Sequence, residues 1–205
     1  MYTGFKRTVI FLGVTFIFLT AATCYGTAPD RSEEIEISFD YKHMSTMASN
    51  QIAIWVENEE GNLIKTIIAI DFTAVRRGYL SRDMALPEWA KAAKPEDMTD
   101  EELDAVSSAT PREGNLVFIW DFTNEEGEHV PDGKYRIKVE GTLFWESDVV
   151  YTAEIDTKNL PEDTLVLQAD RSDSNIHDNE DMISNIVVLK KQERNNIQAI
   201  IKIHI

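Results

Sequence analysis

The sequence predicts an all-β protein, an antiparallel immunoglobulin-like β-sandwich with a short helical insertion at about residues 80–112. Many short segments alternate apolar and polar side chains, which is typical of half-buried strands. Turn residues separate these segments, and the strand–helix–strand rhythm of a parallel sheet is missing. The length of 205 residues, with 43% hydrophobic and 27% charged residues, suits one globular domain better than a disordered or fibrous chain.

The first three strands follow from alternation and one turn. Residues 35–41 alternate isoleucine and aromatic side chains with polar ones. Residues 52–56 are apolar on both faces, and residues 63–72 resume the strand pattern after the turn residues 59–62. The second and third strands therefore form a predicted hairpin.

Two helices are predicted inside the insertion. Residues 86–93 favour a helix, with Pro87 in its first turn, where a missing N–H is tolerated. Thr99 and Glu102 have the spacing of a capping box, in which each side chain bonds the other residue's amide. A second helix should therefore begin after Thr99 and run to about Val106.

The rest of the chain returns to strands. Turn residues at 121–127 and 130–133 and a polar loop at 170–181 separate them. The closing segment, residues 190–205, is rich in isoleucine and would leave an exposed, aggregation-prone edge if it were unpaired. The strands are predicted at residues 116–120, 134–140, 149–155, 162–169, 183–189 and 197–205.

The N-terminus has the pattern of an export signal. Lys6 and Arg7 precede an apolar stretch at residues 9–22, which is the length of a signal-peptide core and short for a membrane span. Small residues follow, so residues 1–26 are predicted as a signal peptide cleaved between Thr23 and Ala28. The mature protein is then one domain, residues 27–205, in the periplasm or another extracytoplasmic space.

Cys24 is the only cysteine, and the chain is strongly acidic. A lipoprotein cysteine at this position would anchor the protein to a membrane, whereas cleavage after Gly26 would remove the cysteine and leave no disulfide or thiolate site. Loss of residues 1–26 takes the formal net charge from −16 to −18. Such a charge argues against nucleic acid as a partner.

One hairpin resembles a known type. Trp120, Gly127 and the run from 130 to 135 are similar to a hairpin of bacterial immunoglobulin-like domains, including that of flagellar hook-capping proteins. The two glycines, Gly127 and Gly133, are expected at left-handed turn positions, and Trp120 and Tyr135 are expected to be buried on the sheet. This resemblance implies a fold and no activity.

Most of the mature chain, from about residue 34 to residue 154, resembles a family of predicted periplasmic proteins known only as a domain of unknown function. The resemblance implies export, and the family name implies no chemistry. Its matching stretches are residues 49–57, 86–89, 104–111 and 120–141.

A seven-residue segment, Asp104 to Thr110, is similar to the target motif of the periplasmic flavin transferase. That motif is an aspartate, two variable residues, serine or threonine, usually glycine, alanine, and threonine or serine. The transferase moves FMN from FAD onto the last hydroxyl, so the resemblance makes Thr110 the acceptor. Ser108 departs from the usual glycine, which allows backbone angles that serine resists. The candidate flavin-binding residues are Asp104, Ser107, Ser108, Ala109 and Thr110.

These residue types suit such an attachment. An acceptor hydroxyl must be accessible on an extended segment, and Pro111 disfavours helix at Thr110. The attached ring needs apolar cover, for which Trp89, Tyr79, Phe144 and Trp145 are candidates by residue type.

The leading hypothesis is thus an exported electron carrier with covalent FMN on Thr110, rather than an enzyme with its own substrate. Its expected partners are the flavin transferase and membrane redox proteins.

Other hypotheses remain. The same sequence fits a non-catalytic sandwich that binds a partner protein or ligand, with the 104–111 loop purely structural. A calcium- or sugar-binding module is a third hypothesis, based on the acidic loop at 170–181 and on four tryptophans that are otherwise expected in the core. No pair of the four histidines has zinc-site spacing, so no metal or catalytic residue is predicted. The tryptophans are Trp55, Trp89, Trp120 and Trp145, and the histidines are His43, His129, His177 and His204.

Overall fold

The protein is a β-sandwich with helices covering one outer face, as described by a computed structural model. The structure describes residues 33–44, 50–82, 85–143, 148–160, 165–166, 169–170 and 182–191. Two sheets, one of four strands and one of six, pack face to face, and the predicted sandwich class is confirmed.

The smaller sheet has the strand order β5-β1-β10-β8, and all of its pairs are antiparallel. Strand β1 pairs on one side with β5, where Ile37 lies opposite Phe118, and on the other with β10, where it lies opposite Val188. The strands are β1 (Ile35–Tyr41), β5 (Gly114–Trp120), β8 (Leu165–Val166) and β10 (Ile183–Lys190).

The larger sheet has the order β4-β3-β2-β6-β7-β9. The central strand β2 pairs antiparallel with β3 and β6, and β4 joins the edge of β3 in a short parallel pair. Its strands are β2 (Gln51–Asn58), β3 (Leu63–Ile70), β4 (Ser107–Ser108), β6 (Lys134–Thr142), β7 (Asp148–Asp156) and β9 (Ala169–Asp170).

Three short helices follow β3: α1 (Gly78–Ser81), α2 (Pro87–Ala93) and α3 (Asp100–Val106). Proline occupies the first turn of α2 as predicted. The capping box of α3 is also confirmed: the Thr99 hydroxyl accepts from the Glu102 amide at 3.2 Å, and Glu102 accepts from the Thr99 amide at 2.7 Å. None of the helices in the described ranges is long and apolar enough to cross a bilayer.

The six-stranded sheet is buried on both faces, which explains why β2 is apolar on both. Its inner face packs on the smaller sheet and forms the sandwich core, which includes Ile54, Ile137 and Val139. Its outer face lies under the helices and forms a second cluster, the helix-covered core, around Trp55 and Trp89.

Gly141 on β6 lies close to side chains at the start of β10. A Cβ at this position would lie 2.7 Å from Ile183 Cδ1 and 2.8 Å from Met182 Cε. A larger residue would therefore displace the flexible ends of these two side chains.

The prediction of a hairpin between Trp120 and Tyr135 was wrong, because β5 and β6 belong to different sheets and the chain between them crosses from one sheet to the other. The bridge within this connection joins Thr123 to His129. Trp120 and Tyr135 are buried as predicted, and their rings meet edge to face at 5.4 Å. Gly127 has a φ of +78°, as its turn position requires, but Gly133 does not adopt a positive φ. The other left-handed residue of this connection is Phe122, with a φ of +59°. The prediction for Gly133 was wrong because the turn places that conformation earlier in the chain.

Some strand bounds differ from prediction. Strand β3 ends at Ile70, because residues 71–76 form turns and not the last part of a strand. The single strand predicted at 162–169 is two short pieces, β8 and β9, that belong to different sheets. The signal peptide at 1–26, with Cys24, and the closing strand at 197–205 lie outside the described residues.

Candidate functional site

The segment from Asp104 to Thr110 lies where the chain passes from the larger sheet to the smaller one. Asp104 is on α3, Ser107 and Ser108 form β4 beside β3, and β5 of the smaller sheet begins at Gly114. Ser107 caps the helix, because both its amide and its Oγ donate to the Asp104 carbonyl, the latter at 3.1 Å. The five candidate residues are thus brought together by sequence proximity and one ordered crossing.

Thr110 is the hydroxyl-bearing residue of this segment that is exposed to solvent. Ala109 and Thr110 are exposed, whereas Ser107 and Ser108 are half-buried against β3. The Asp71 amide donates to the Ser108 carbonyl at 2.7 Å and fixes the start of the segment. Thr110 follows two residues later, outside any helix or strand, so its side chain is open to solvent.

Ser108 occupies its position without backbone strain. It pairs with Ile70 in the parallel β3–β4 ladder, and its φ is not positive. Since only positive φ favours glycine over serine, the serine does not distort this backbone. The departure from the usual glycine is therefore compatible with the local geometry.

A basic turn lies beside the segment. We call residues 71–77, which follow β3, the arginine turn. Arg76 Nε lies 2.9 Å from Asp71 Oδ2, and Arg77 Nη2 lies 2.9 Å from Asp100 Oδ1 on α3. Arg77 has a φ of +53°, and Nη1 of its guanidinium donates to the Tyr79 hydroxyl at 3.4 Å. The turn thus places guanidinium groups next to a segment of an otherwise acidic protein.

Of the residues predicted to cover a flavin ring, Trp89 lies in the core and Tyr79 lies beside the arginine turn. Trp89 is fully buried in the helix-covered core, and its Nε1 donates to Thr66 Oγ1 at 3.3 Å. It cannot cover a ligand at the surface, so that prediction was wrong. Tyr79 is half-buried beside Arg77. Phe144 and Trp145 lie outside the described residues.

A pair of buried carboxyl groups, Glu140 on β6 and Asp148 on β7, lies under the start of α2. Their residues are 0% and 4% exposed. Glu140 Oε1 accepts from the Glu88 amide at 3.0 Å, and Oε2 accepts from the Trp89 amide at 2.8 Å. Glu140 therefore attaches the first turn of α2 to the sheet.

This carboxyl pair has perturbed acidity. Burial raises the pKa of Glu140 well above its usual range, and the negative charge of Asp148 adds to the increase. Burial also raises the pKa of Asp148, to about 6, and the charge of Glu88 contributes. The raised pKa values mean that the pair keeps a proton to higher pH than isolated carboxyl groups do. Because both residues are buried and Glu140 accepts from two amides of α2, we interpret the pair as structural.

The sequence did not reveal this pair. Glu140 alternates with apolar residues of β6 and shares a face with Lys138 and Arg136, which is the pattern of a solvent face. Only the helices packed over that face turn the position into a buried one. Trp89 in the helical insertion was the informative residue. An apolar helix face must pack on another element, which indicates that the helix covers one face of the sheet.

The other candidates carry no site. Trp55, Trp89 and Trp120 are buried, which confirms the expectation of core packing for these three. Among the described residues, no group of three or more histidine, cysteine or acidic side chains is arranged to hold a metal ion. The calcium loop was proposed for residues 170–181, of which all but Asp170 lie outside the described ranges.

One comparison with known proteins gives a match. The family model described as "Predicted periplasmic protein (DUF2271)" matches residues 32–172, which is most of the mature chain. No curated protein and no solved structure matches the chain.

Proposed function

The chain belongs to the DUF2271 family of predicted periplasmic proteins, and from this premise we propose that it is an exported redox carrier with FMN covalently attached to Thr110. The observation that supports the proposal most directly is the exposed hydroxyl of Thr110, on a short segment fixed at both ends. The family itself is defined as periplasmic and implies no chemistry.

The geometry of the segment suits modification by another enzyme. The helix end is capped by Ser107, so the chain leaves α3 in a defined direction. Small residues precede Thr110, and Ala109 is exposed with it. A transferase that must enclose the acceptor therefore meets little bulk on this side.

The attachment step is a phosphoryl transfer. The Thr110 oxygen attacks the phosphorus of the FMN half of FAD, forms a new phosphoester bond and breaks the phosphoanhydride bond, so that AMP leaves. The hydroxyl proton passes to a base of the transferase. Once bound, the flavin supplies one- or two-electron transfer between a membrane redox protein as reductant and an extracytoplasmic acceptor as oxidant.

The covalent link and the acidity of the protein both suit a carrier that works outside the cytoplasm. A covalent link keeps the cofactor on an exported protein, where a freely dissociating flavin would be lost. The acidity of the protein favours docking partners with a basic face, and association should weaken as ionic strength rises.

The proposal is tested by co-expressing the protein with a periplasmic flavin transferase and measuring intact mass and in-gel flavin fluorescence. We expect a mass increase of one FMN less one water. Thr110→Ala should abolish it, whereas the matched variant Thr110→Ser keeps a hydroxyl and should be modified. An unmodified wild-type mass, or an adduct that survives Thr110→Ala, would overturn the assignment.

A further inference from the structure

A groove opens between the arginine turn and α3. It has a volume of about 540 Å³. This size lies within the range of small-molecule sites, which is about 300–1,000 Å³. Its lining residues are Val75, Arg77, Asp100, Glu101, Leu103 and Asp104.

The groove and the acceptor segment are parts of one structural unit. Asp104 is the first residue of the flavin-transferase motif and also lines the groove. Strand β4 follows three residues later and is held to the first residue of the arginine turn by the bond from the Asp71 amide to the Ser108 carbonyl. Thr110 therefore leaves the sheet beside the same turn that supplies Val75 and Arg77.

The lining has the chemistry that a flavin ring needs. Val75 is 39% exposed and gives an apolar surface that remains uncovered by the described residues, and Leu103 closes the floor. The Arg77 guanidinium is held by Asp100 and Tyr79, so a planar cation is presented for stacking on a flat aromatic ring.

The remaining carboxylates suit the polar parts of a flavin. Asp100, Glu101 and Asp104 line the groove as hydrogen-bond acceptors. The ring N–H and the ribityl hydroxyls of a flavin are donors. The same carboxylates would repel a phosphate, which agrees with a phosphoester placed outside the groove, at Thr110.

We infer that this groove seats the ring of the flavin attached to Thr110, an inference that rests on the proposed attachment. Arg77 and Val75 are then positioning residues for the ring, and Asp104 serves both the motif and the groove.

The test measures how well the ring of the flavinylated protein is shielded. The readouts are fluorescence anisotropy and quenching of flavin fluorescence by acrylamide, a neutral quencher that the acidic surface does not repel, on protein whose modification is verified by intact mass. In the wild type we expect severalfold weaker quenching than for free FMN and an anisotropy close to that of the whole protein. Intact mass separates the two hypotheses: a missing adduct overturns the attachment and this inference together, whereas an adduct with a fully accessible ring overturns the groove alone.

Variants locate the ring. Arg77→Asn removes the guanidinium with a residue that tolerates the positive φ, and Val75→Ser removes the apolar surface. Both should raise quenching towards the value of free FMN. The matched control Leu80→Ser changes a residue that is 67% exposed and does not line the groove, so quenching should not change. Quenching that stays at the wild-type value in both groove variants, with folding verified by circular dichroism, would also overturn the inference.

Discussion

The two faces of the six-stranded sheet are buried by different means. The inner face meets the smaller sheet through apolar side chains such as Ile54, Ile137 and Val139. The outer face meets the helices through Trp55 and Trp89, both of which also make hydrogen bonds, and through the carboxyl pair Glu140–Asp148. Apolar contacts are non-directional, whereas buried polar groups require particular partners.

This difference has a functional meaning. The motif segment begins on α3, which packs in the helix-covered core, and continues as β4 beside β3, so its position depends on the helix-covered face as well as on the sheet. We expect the sandwich core to determine whether the protein folds. We expect the helix-covered face to determine where the motif is held and how that position responds to pH.

The largest effect is expected from Trp89→Ala. The substitution empties the centre of the helix-covered core and removes the bond to Thr66, so stability should fall by about 3–5 kcal/mol. Urea unfolding followed by circular dichroism should show helical signal lost before strand signal. The matched variant Ile54→Ala, on the inner face, should lose about 2–5 kcal/mol in one transition. Coincident transitions in Trp89→Ala would mean that both faces form one cooperative unit.

A smaller loss is expected from Glu140→Ala. It leaves the Glu88 and Trp89 amides without their acceptor, at an expected loss of about 2–3 kcal/mol in urea unfolding. Glu140→Gln keeps an acceptor oxygen for one of the two amides, but its NH2 group faces the other donor, so its loss should be intermediate, about 1–2 kcal/mol. A Gln variant as damaging as Ala would mean that one remaining hydrogen bond does not hold α2 in place.

The carboxyl pair also predicts a pH dependence of stability. The folded-state pKa values of Asp148 and Glu140 are raised, so the folded state holds more protons than the unfolded one. Their contribution is complete below the unfolded pKa of about 4 and is lost as pH rises through about 6 and above. Asp148→Asn should therefore gain about 2 kcal/mol relative to the wild type between about pH 4 and pH 8.

Unfolding midpoints measured across this pH range check that prediction. Val139→Ala, the neighbour of Glu140 on the inner face, is the control. It should lower stability by the same amount at each pH, because it removes only apolar contact. Parallel pH profiles for the wild type and the Asp148→Asn variant would contradict the raised pKa values of the carboxyl pair.

The smallest effect is expected from Thr99→Ala. Loss of the cap at the start of α3 should lower stability by about 1 kcal/mol, and Thr99→Ser should restore it. The measurement is the urea midpoint, together with the yield of flavin adduct under limiting transferase. An unchanged midpoint would mean that packing of Leu103 holds α3 without its cap.

Sequence patterns predicted the parts of the fold that depend on local interactions. The capping box of α3, Pro87 in α2 and the alternating strand β1 are local, and each is present where expected. The covering of the outer face depends on contacts distant in sequence. Glu140 therefore looked solvated, and its bond to the Trp89 amide, 51 residues away, was not foreseen.

The candidate site divides in the same way. A proline after Thr110 and a helix end before it were enough to predict an extended, accessible acceptor. The groove was not predictable, because Arg77 and Asp100 are 23 residues apart and meet only when the arginine turn packs beside α3. Trp89, which its residue type suggested as cover for the ring, lies instead in the helix-covered core.

The pairing of β4 with β3 determines how far Thr110 can extend from the sheet. Five residues, 109–113, connect β4 to β5, and each extended residue adds at most about 3.5 Å, so Thr110 stays within about 7 Å of Ser108. The β3–β4 pair is only two residues long, and its release would be a small local opening. Release of the two residues of β4 would extend the reach of Thr110 by about 7 Å more. Under the proposed attachment, the shorter reach keeps Thr110 beside the groove, and the longer reach gives a transferase room to enclose it.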